Sequence, residues 1–223
     1  MIPACDMYSI LKSLQEAFSE RYEDRVNNHI RLTGILIAPP GSTIARTEII
    51  PRLTDFHYRT ANNIDFFVAG YGFGKVDSIY KEILDPPNTG WTYSSYHCNE
   101  LIKTLEFCTS WEYSGGCELL LFNAKYKSST GRVSLDYSTA VLLQLDKMKD
   151  QKSFVNVETF FEEIFSYAKT CTGQDPCWGF SDKIGVKKGL PAIFHLLSKA
   201  IPGKPLEEIL KLKNYAVHDI SKI

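Results

Sequence analysis

No apolar run in this chain approaches the roughly 20 residues that a membrane-spanning helix needs, so a bilayer span is not expected anywhere in its 223 residues. The first residues, MIPACDMYSILKSLQEAF, lack the basic opening of a secretory signal and place Asp6 and Glu16 inside the apolar stretch. A cytoplasmic location is therefore the expectation. The six cysteines form no C-x-x-C pair, and their scatter is unlike a secreted disulfide framework. The five histidines are isolated, with no H-x-x-x-H spacing, so no metal or other cofactor is expected. Neither sign of charge is in excess: the formal net charge is −1, which gives no global pull towards nucleic acid or anionic lipid. Eight lysines do crowd residues 183–223, but no arginine accompanies them, so a solvated helical face is expected there rather than a nucleic-acid site.

What remains is an ordinary globular composition, 44% hydrophobic, in a chain long enough for one good core. Met7, Ile10, Leu11, Leu14, Phe18 and Tyr22 share one helical face, predicting an amphipathic helix over 6–24. IRLTGILIA (30–38) and NIDFFVAG (63–70) read as buried strands. Between them lies a helical segment with Ile49, Ile50, Leu53 and Phe56 on its inner face and a kink at Pro51. Val76 to Leu84 and Tyr96 to Trp111 read as helices, CELLLFNAKY (117–126) and part of 132–148 as an antiparallel hairpin, and Val157 to Lys169 as a covering helix. Residues 171–190 are rich in Gly, Pro and polar side chains and read as a loop, followed by short helices over 191–200 and 206–217.

The fold expected is therefore α/β: a mixed sheet in the order βα-βα-β-β-α over residues 1–170, with a short helical appendage over 171–223 on the same domain. That order resembles the thioredoxin-like arrangement, or a Rossmann-like one, by succession of elements alone. Where a thioredoxin carries its cysteine pair, after the first crossover strand, this chain has Pro39-Pro40-Gly41-Ser42-Thr43 and no sulfur. A likeness of that kind confers no activity.

One stretch has the outline of a phosphate cradle. Strand 64–69 breaks into Gly70, Gly72, Gly74 and Lys75, ahead of a helical pattern. A Walker loop would need Gly at Ala69 and a hydroxyl at Val76, and the dinucleotide fingerprint needs wider glycine spacing. Neither motif is met. A weaker anion seat is conceivable, because glycine backbones can turn several N–H groups one way. With parallel strands, Ser42, Thr43, Gly70, Gly72, Gly74 and Lys75 would share the carboxyl edge of the sheet, where open α/β sheets bind ligands. The competing reading is a sharp turn with Tyr71 and Phe73 packed beneath it, the commoner use of such glycines.

Trp91, Tyr93, Tyr96, Trp111 and Tyr113 gather near two loops and form a candidate interaction surface. Cys171 and Cys177 bracket five residues and could form a redox pair. His97 and Cys98 are sequence neighbours, which on a helix point about 100° apart and cannot act as a dyad. The acids Asp65, Glu100, Glu106, Glu112 and Asp136 show no spacing for paired acid–base work. The expectation is a non-catalytic module that binds a protein partner, itself included, or an anionic, phosphate-bearing small molecule. The alternatives are an enzyme acting on a nucleotide or phosphorylated ligand held at 70–75, and a thiol-redox protein using Cys171 and Cys177.

Overall fold

The computed structural model of the chain describes residues 1–21, 29–60, 64–73, 83–84, 90–171, 175–185 and 214–222. The two apolar runs become β2 (His29–Ile37) and β3 (Asp65–Ala69), paired in parallel with Gly34 opposite Phe66. A strand not anticipated from the sequence, β1 (Ile2–Ala4), lies parallel on the outer side of β3. Three residues are too few for a periodic signal, and Pro3 argues against a strand except at an edge, which is where it lies. Strand β7 (Glu118–Lys127) runs antiparallel along β2, and β8 (Arg132–Gln144) antiparallel along β7. Strand β9 (Val217–His218) completes a six-stranded sheet in the order β1-β3-β2-β7-β8-β9. The fold is mixed α/β around a mixed sheet.

Helices cover both faces. Helix α1 (Met7–Arg21) opens where Asp6 Oδ1 accepts from the Ser9 N–H at 2.7 Å and the Ser9 hydroxyl accepts from the Asp6 N–H at 3.2 Å. That reciprocal cap satisfies two orphan donors of the first turn. Phe18 of α1 stacks on Tyr126 of β7 at 5.4 Å. On the other face, Phe66 packs against Phe161 and Phe165 of α5 (Val157–Thr170), with ring centroids 5.4 and 5.5 Å apart. The segment before β3 is broken as Pro51 predicts. A π-helical turn (Ala45–Ile49) passes into a 3-10 turn (Ile50–Arg52), then into α2 (Leu53–Thr60), because proline has no N–H for the helical ladder.

Several expectations are corrected. The predicted helix over 76–84 ends in a strand: β5 (Ile83–Leu84) pairs with β6 (Trp91–Ser94), which also pairs with β4 (Tyr71–Phe73) in a small antiparallel sheet. Residues 74–82 lie outside the described residues. Helix α3 (Ser95–Cys108) stops three residues before Trp111, because the Thr109 backbone turns extended and bridges to Ser221. Residues 176–185, read as loop, are helical: α6 (Pro176–Phe180) is started by Asp175, which accepts from the Trp178 N–H at 3.2 Å, with Pro176 preset at the first position. A π-helical turn, Ser181–Gly185, follows it. Val217, placed in a terminal helix, is strand, and the rest of the two helices expected over 191–217 falls largely outside the described residues. The short α4 (Leu145–Asp150) was hidden at the end of the hairpin.

Helix α6 buries Cys177 and Phe180 in the core and is tied to the sheet by one buried polar side chain, Asn123. The β7–β8 register shifts after Phe122, and Asn123 at that bulge is 1% exposed. Its Nδ2 donates to Thr139 Oγ1 at 2.8 Å and to Asp175 Oδ1 at 2.7 Å, while its Oδ1 accepts from the Cys177 N–H at 3.0 Å. Asp136 extends the network by accepting from Lys125, Ser138 and Thr139.

Candidate functional site

The glycine loop is committed to packing where it is described. Gly70 has φ +76°, its N–H donates to the Ala4 carbonyl at 2.9 Å, and its carbonyl accepts from the Ser94 N–H at 2.7 Å. A Cβ at this position would lie 2.6 Å from the Ser94 oxygen and 2.7 Å from the Cys98 Cβ, so only glycine lets α3 start this close to β3. Gly72 sits in β4 opposite Thr92 and accepts the Thr92 hydroxyl at 3.3 Å. Tyr71 packs down, its hydroxyl donating to the Ala38 carbonyl at 2.7 Å, and burial, with Tyr93 beside it, holds that hydroxyl well above its ordinary pKa. Gly74 and Lys75 lie outside the described residues.

Ser42 and Thr43 do reach the same edge of the sheet, but with other partners. The Ser42 hydroxyl donates to Asp146 Oδ1 at 3.0 Å, and Asp146 Oδ2 accepts from the Cys117 N–H at 2.5 Å, so one carboxylate ties the 39–43 loop to the start of β7. Thr43 is exposed, and its carbonyl accepts from the Thr47 hydroxyl.

Of the five aromatics proposed as a surface, Tyr96 alone is exposed, at 54%. Trp91 is fully buried and donates to Thr54 Oγ1 at 3.0 Å, Tyr93 lies 4.9 Å from the Tyr71 ring, and half-buried Tyr113 donates to the Gly116 carbonyl at 2.7 Å. Cys171 is half-buried against the Tyr167 hydroxyl, and Cys177 is fully buried; both are free thiols. Burial, then Asp175, raises the Cys177 thiol well above its usual value, and burial raises Cys98 despite its hydrogen bond with Tyr93.

A second place at the same sheet edge has the geometry of a seat. A cleft of about 350 Å³ opens where four segments meet: the extended turn after α3, the end of β8, helix α4 with the turn after it, and residues 214–220. Its floor is anchored by Glu118, 1% exposed at the start of β7. Glu118 shares a face with Tyr126 by strand alternation, so the cleft lies on the α1 side of the sheet. Both of its oxygens are engaged: Oε2 accepts the Trp111 indole N–H at 3.1 Å, and Oε1 accepts the Ser114 N–H at 2.7 Å. This carboxylate therefore shapes the 111–114 turn. Opposite it, Asn214 donates to Gln151 Oε1 at 2.7 Å and fixes that wall. The side chains of Ser110, Glu112, Gln144, Lys147 and His218 also line the cleft, and none is engaged by another described residue. Leu142 and Ile220 supply its apolar part.

Two absences hold among the described residues. No three His, Cys, Asp or Glu side chains come together as metal ligands. No helix is long and apolar enough to cross a membrane. No known family model, curated protein or solved structure matches this chain.

Sequence reasoning missed the cleft because it is not local. Glu112, Lys147 and His218 stand 35 and 71 residues apart in turn, and no motif links them. The one available signal was the cluster of polar residues flanking the apolar ends of β7 and β8, at 110–118 and 144–151.

Proposed function

We propose that this chain is a non-catalytic binding protein whose ligand is a small polar molecule seated in the cleft beneath Trp111. The observation that carries this reading is a set of polar side chains that no other described residue engages. Lysine, glutamate, glutamine, serine and histidine groups converge on one concavity without pairing among themselves. A concave site with a few convergent polar groups on an apolar base is the usual form of a ligand pocket. The volume suits a small molecule, at the low end of the roughly 300–1,000 Å³ typical of such pockets. Burial raises the thiols of Cys98, Cys117 and Cys177 above their usual value, which weighs against a thiol-based reaction at any of the three.

Native mass spectrometry of gently purified protein tests this reading, with Leu142→Trp as the variant that fills the cleft. A bound small mass that is lost on denaturation and absent from L142W is the expected result. A bare wild-type chain, or a mass that L142W retains, would refute it.

A further inference from the structure

We infer that the cleft selects a zwitterion, a free α-amino acid with an aliphatic side chain; this rests on the cleft being the ligand seat. The argument turns on Lys147 and Glu112. Both line the same cavity, they carry opposite charge, and neither forms an ion pair or hydrogen bond with another described residue. A ligand that is only anionic would gain Lys147 and meet repulsion from Glu112 and Glu118, and a ligand that is only cationic would gain the carboxylates and meet repulsion from Lys147. A molecule that carries a carboxylate and an ammonium on one carbon offers a charge-assisted hydrogen-bond partner to each residue.

The rest of the lining agrees. No arginine is among the described residues that border the cleft, so none of them offers the bidentate fork that holds phosphate. Among the described lining residues one lysine, Lys147, is there to meet a ligand carboxylate. The amide N–H groups of Gln144 and Gln151 and the Ser110 hydroxyl add neutral donors for the carboxylate end. Leu142 and Ile220, with the edge of Trp111, offer an apolar surface for the aliphatic side chain.

The test uses the intact, 15N-labelled chain and the indole N–H signal of Trp111, which reports on the cleft through its bond to Glu118. Three probes are titrated: L-leucine, 4-methylpentanoate, which lacks the ammonium, and 3-methylbutylamine, which lacks the carboxylate. Leucine should shift the signal to saturation, with each truncated probe about tenfold weaker, the loss expected for one charge-assisted contact. Lys147→Met should abolish the preference for leucine over the amine, and Glu112→Gln the preference for leucine over the acid. Both residues are exposed, so neither change threatens the fold. Equal affinity for 4-methylpentanoate and leucine, or unchanged preferences in both variants, overturns the inference while leaving the cleft as a ligand seat. Silence of the Trp111 signal with all three probes also overturns it; a bound mass in the native spectrum of wild type but not L142W would then keep the broader reading alive, and a bare chain would end both.

Discussion

Replacing Gly70 with alanine separates a packed turn from an anion cradle. In the structure the new Cβ would stand 2.6 Å from the Ser94 carbonyl oxygen, 2.7 Å from the Cys98 Cβ and 3.1 Å from the Cys98 nitrogen. These are backbone or first side-chain atoms in the opening turn of α3, so none can swing aside. The backbone is left-handed at φ +76°, which costs a non-glycine residue about 1–2 kcal/mol. Overpacking adds about 1–3 kcal/mol. Together these give roughly 2–5 kcal/mol of destabilisation. With a urea slope of about 2 kcal/mol per M, the unfolding midpoint should fall by roughly 1–2.5 M at unchanged slope. Gly72→Ala is the control: its nearest neighbour to a new Cβ is Thr92 Oγ1 at 4.0 Å, and its midpoint should move by no more than about 0.5 M. A G70A midpoint as close to wild type as that of G72A would refute the packing argument.

Other consequences follow from single networks. Asn123→Ala removes three hydrogen bonds and leaves the buried Cys177 N–H without its acceptor, while Thr139 keeps Asp136 and Asp175 keeps the Trp178 N–H, at a cost of about 2–4 kcal/mol. Hydrogen exchange should show protection lost across 176–180 before it is lost in β2 and β7, whereas uniform loss would count against a local clip. Burial opposes ionisation of Asp136, but Lys125, Ser138 and Thr139 outweigh it and leave its pKa below the ordinary carboxylate value. Its contribution is present above about pH 4 and lost as pH falls through the folded value. Asp136→Asn should therefore flatten the decline in urea midpoint between pH 5 and 3, and an unchanged slope would contradict the assignment. Thiol labelling of the native chain should reach exposed Cys108 readily and spare Cys98, Cys117 and Cys177 until denaturation. A Cys171–Cys177 disulfide found by peptide mapping after mild oxidation would revive the redox alternative.

The parts of the fold visible in the sequence are those whose signal is local. Leu32 to Ile37 and Phe66 to Ala69 are almost wholly buried, and their continuous apolar runs announced β2 and β3. Pro51 broke its helix where proline chemistry says it must. Short strands failed, because Ile2–Ala4 and Ile83–Leu84 hold their place by pairing with distant segments rather than by periodicity. Helix α6 was legible in principle: Asp175 followed by Pro176 is a start signal, overlooked within a stretch rich in glycine and proline. The candidate site divides in the same way. Gly70 stood out in the sequence as part of a glycine run, but only the tertiary contact with Ser94 and Cys98 tells why it is glycine. Lys147 and Glu112, ordinary surface residues in the sequence, become notable only when α4 and the turn after α3 meet.

Binding at the cleft is tested most directly by mapping where a library of small polar fragments perturbs the backbone amides of the intact chain. Perturbations should gather on Ser110 to Glu112, Leu142 to Lys147 and Asn214 to Ile220, with Ser42, Gly70 and Gly72 silent. Fragments that gather instead on 39–43 and 70–73, or on none of these amides, would contradict it.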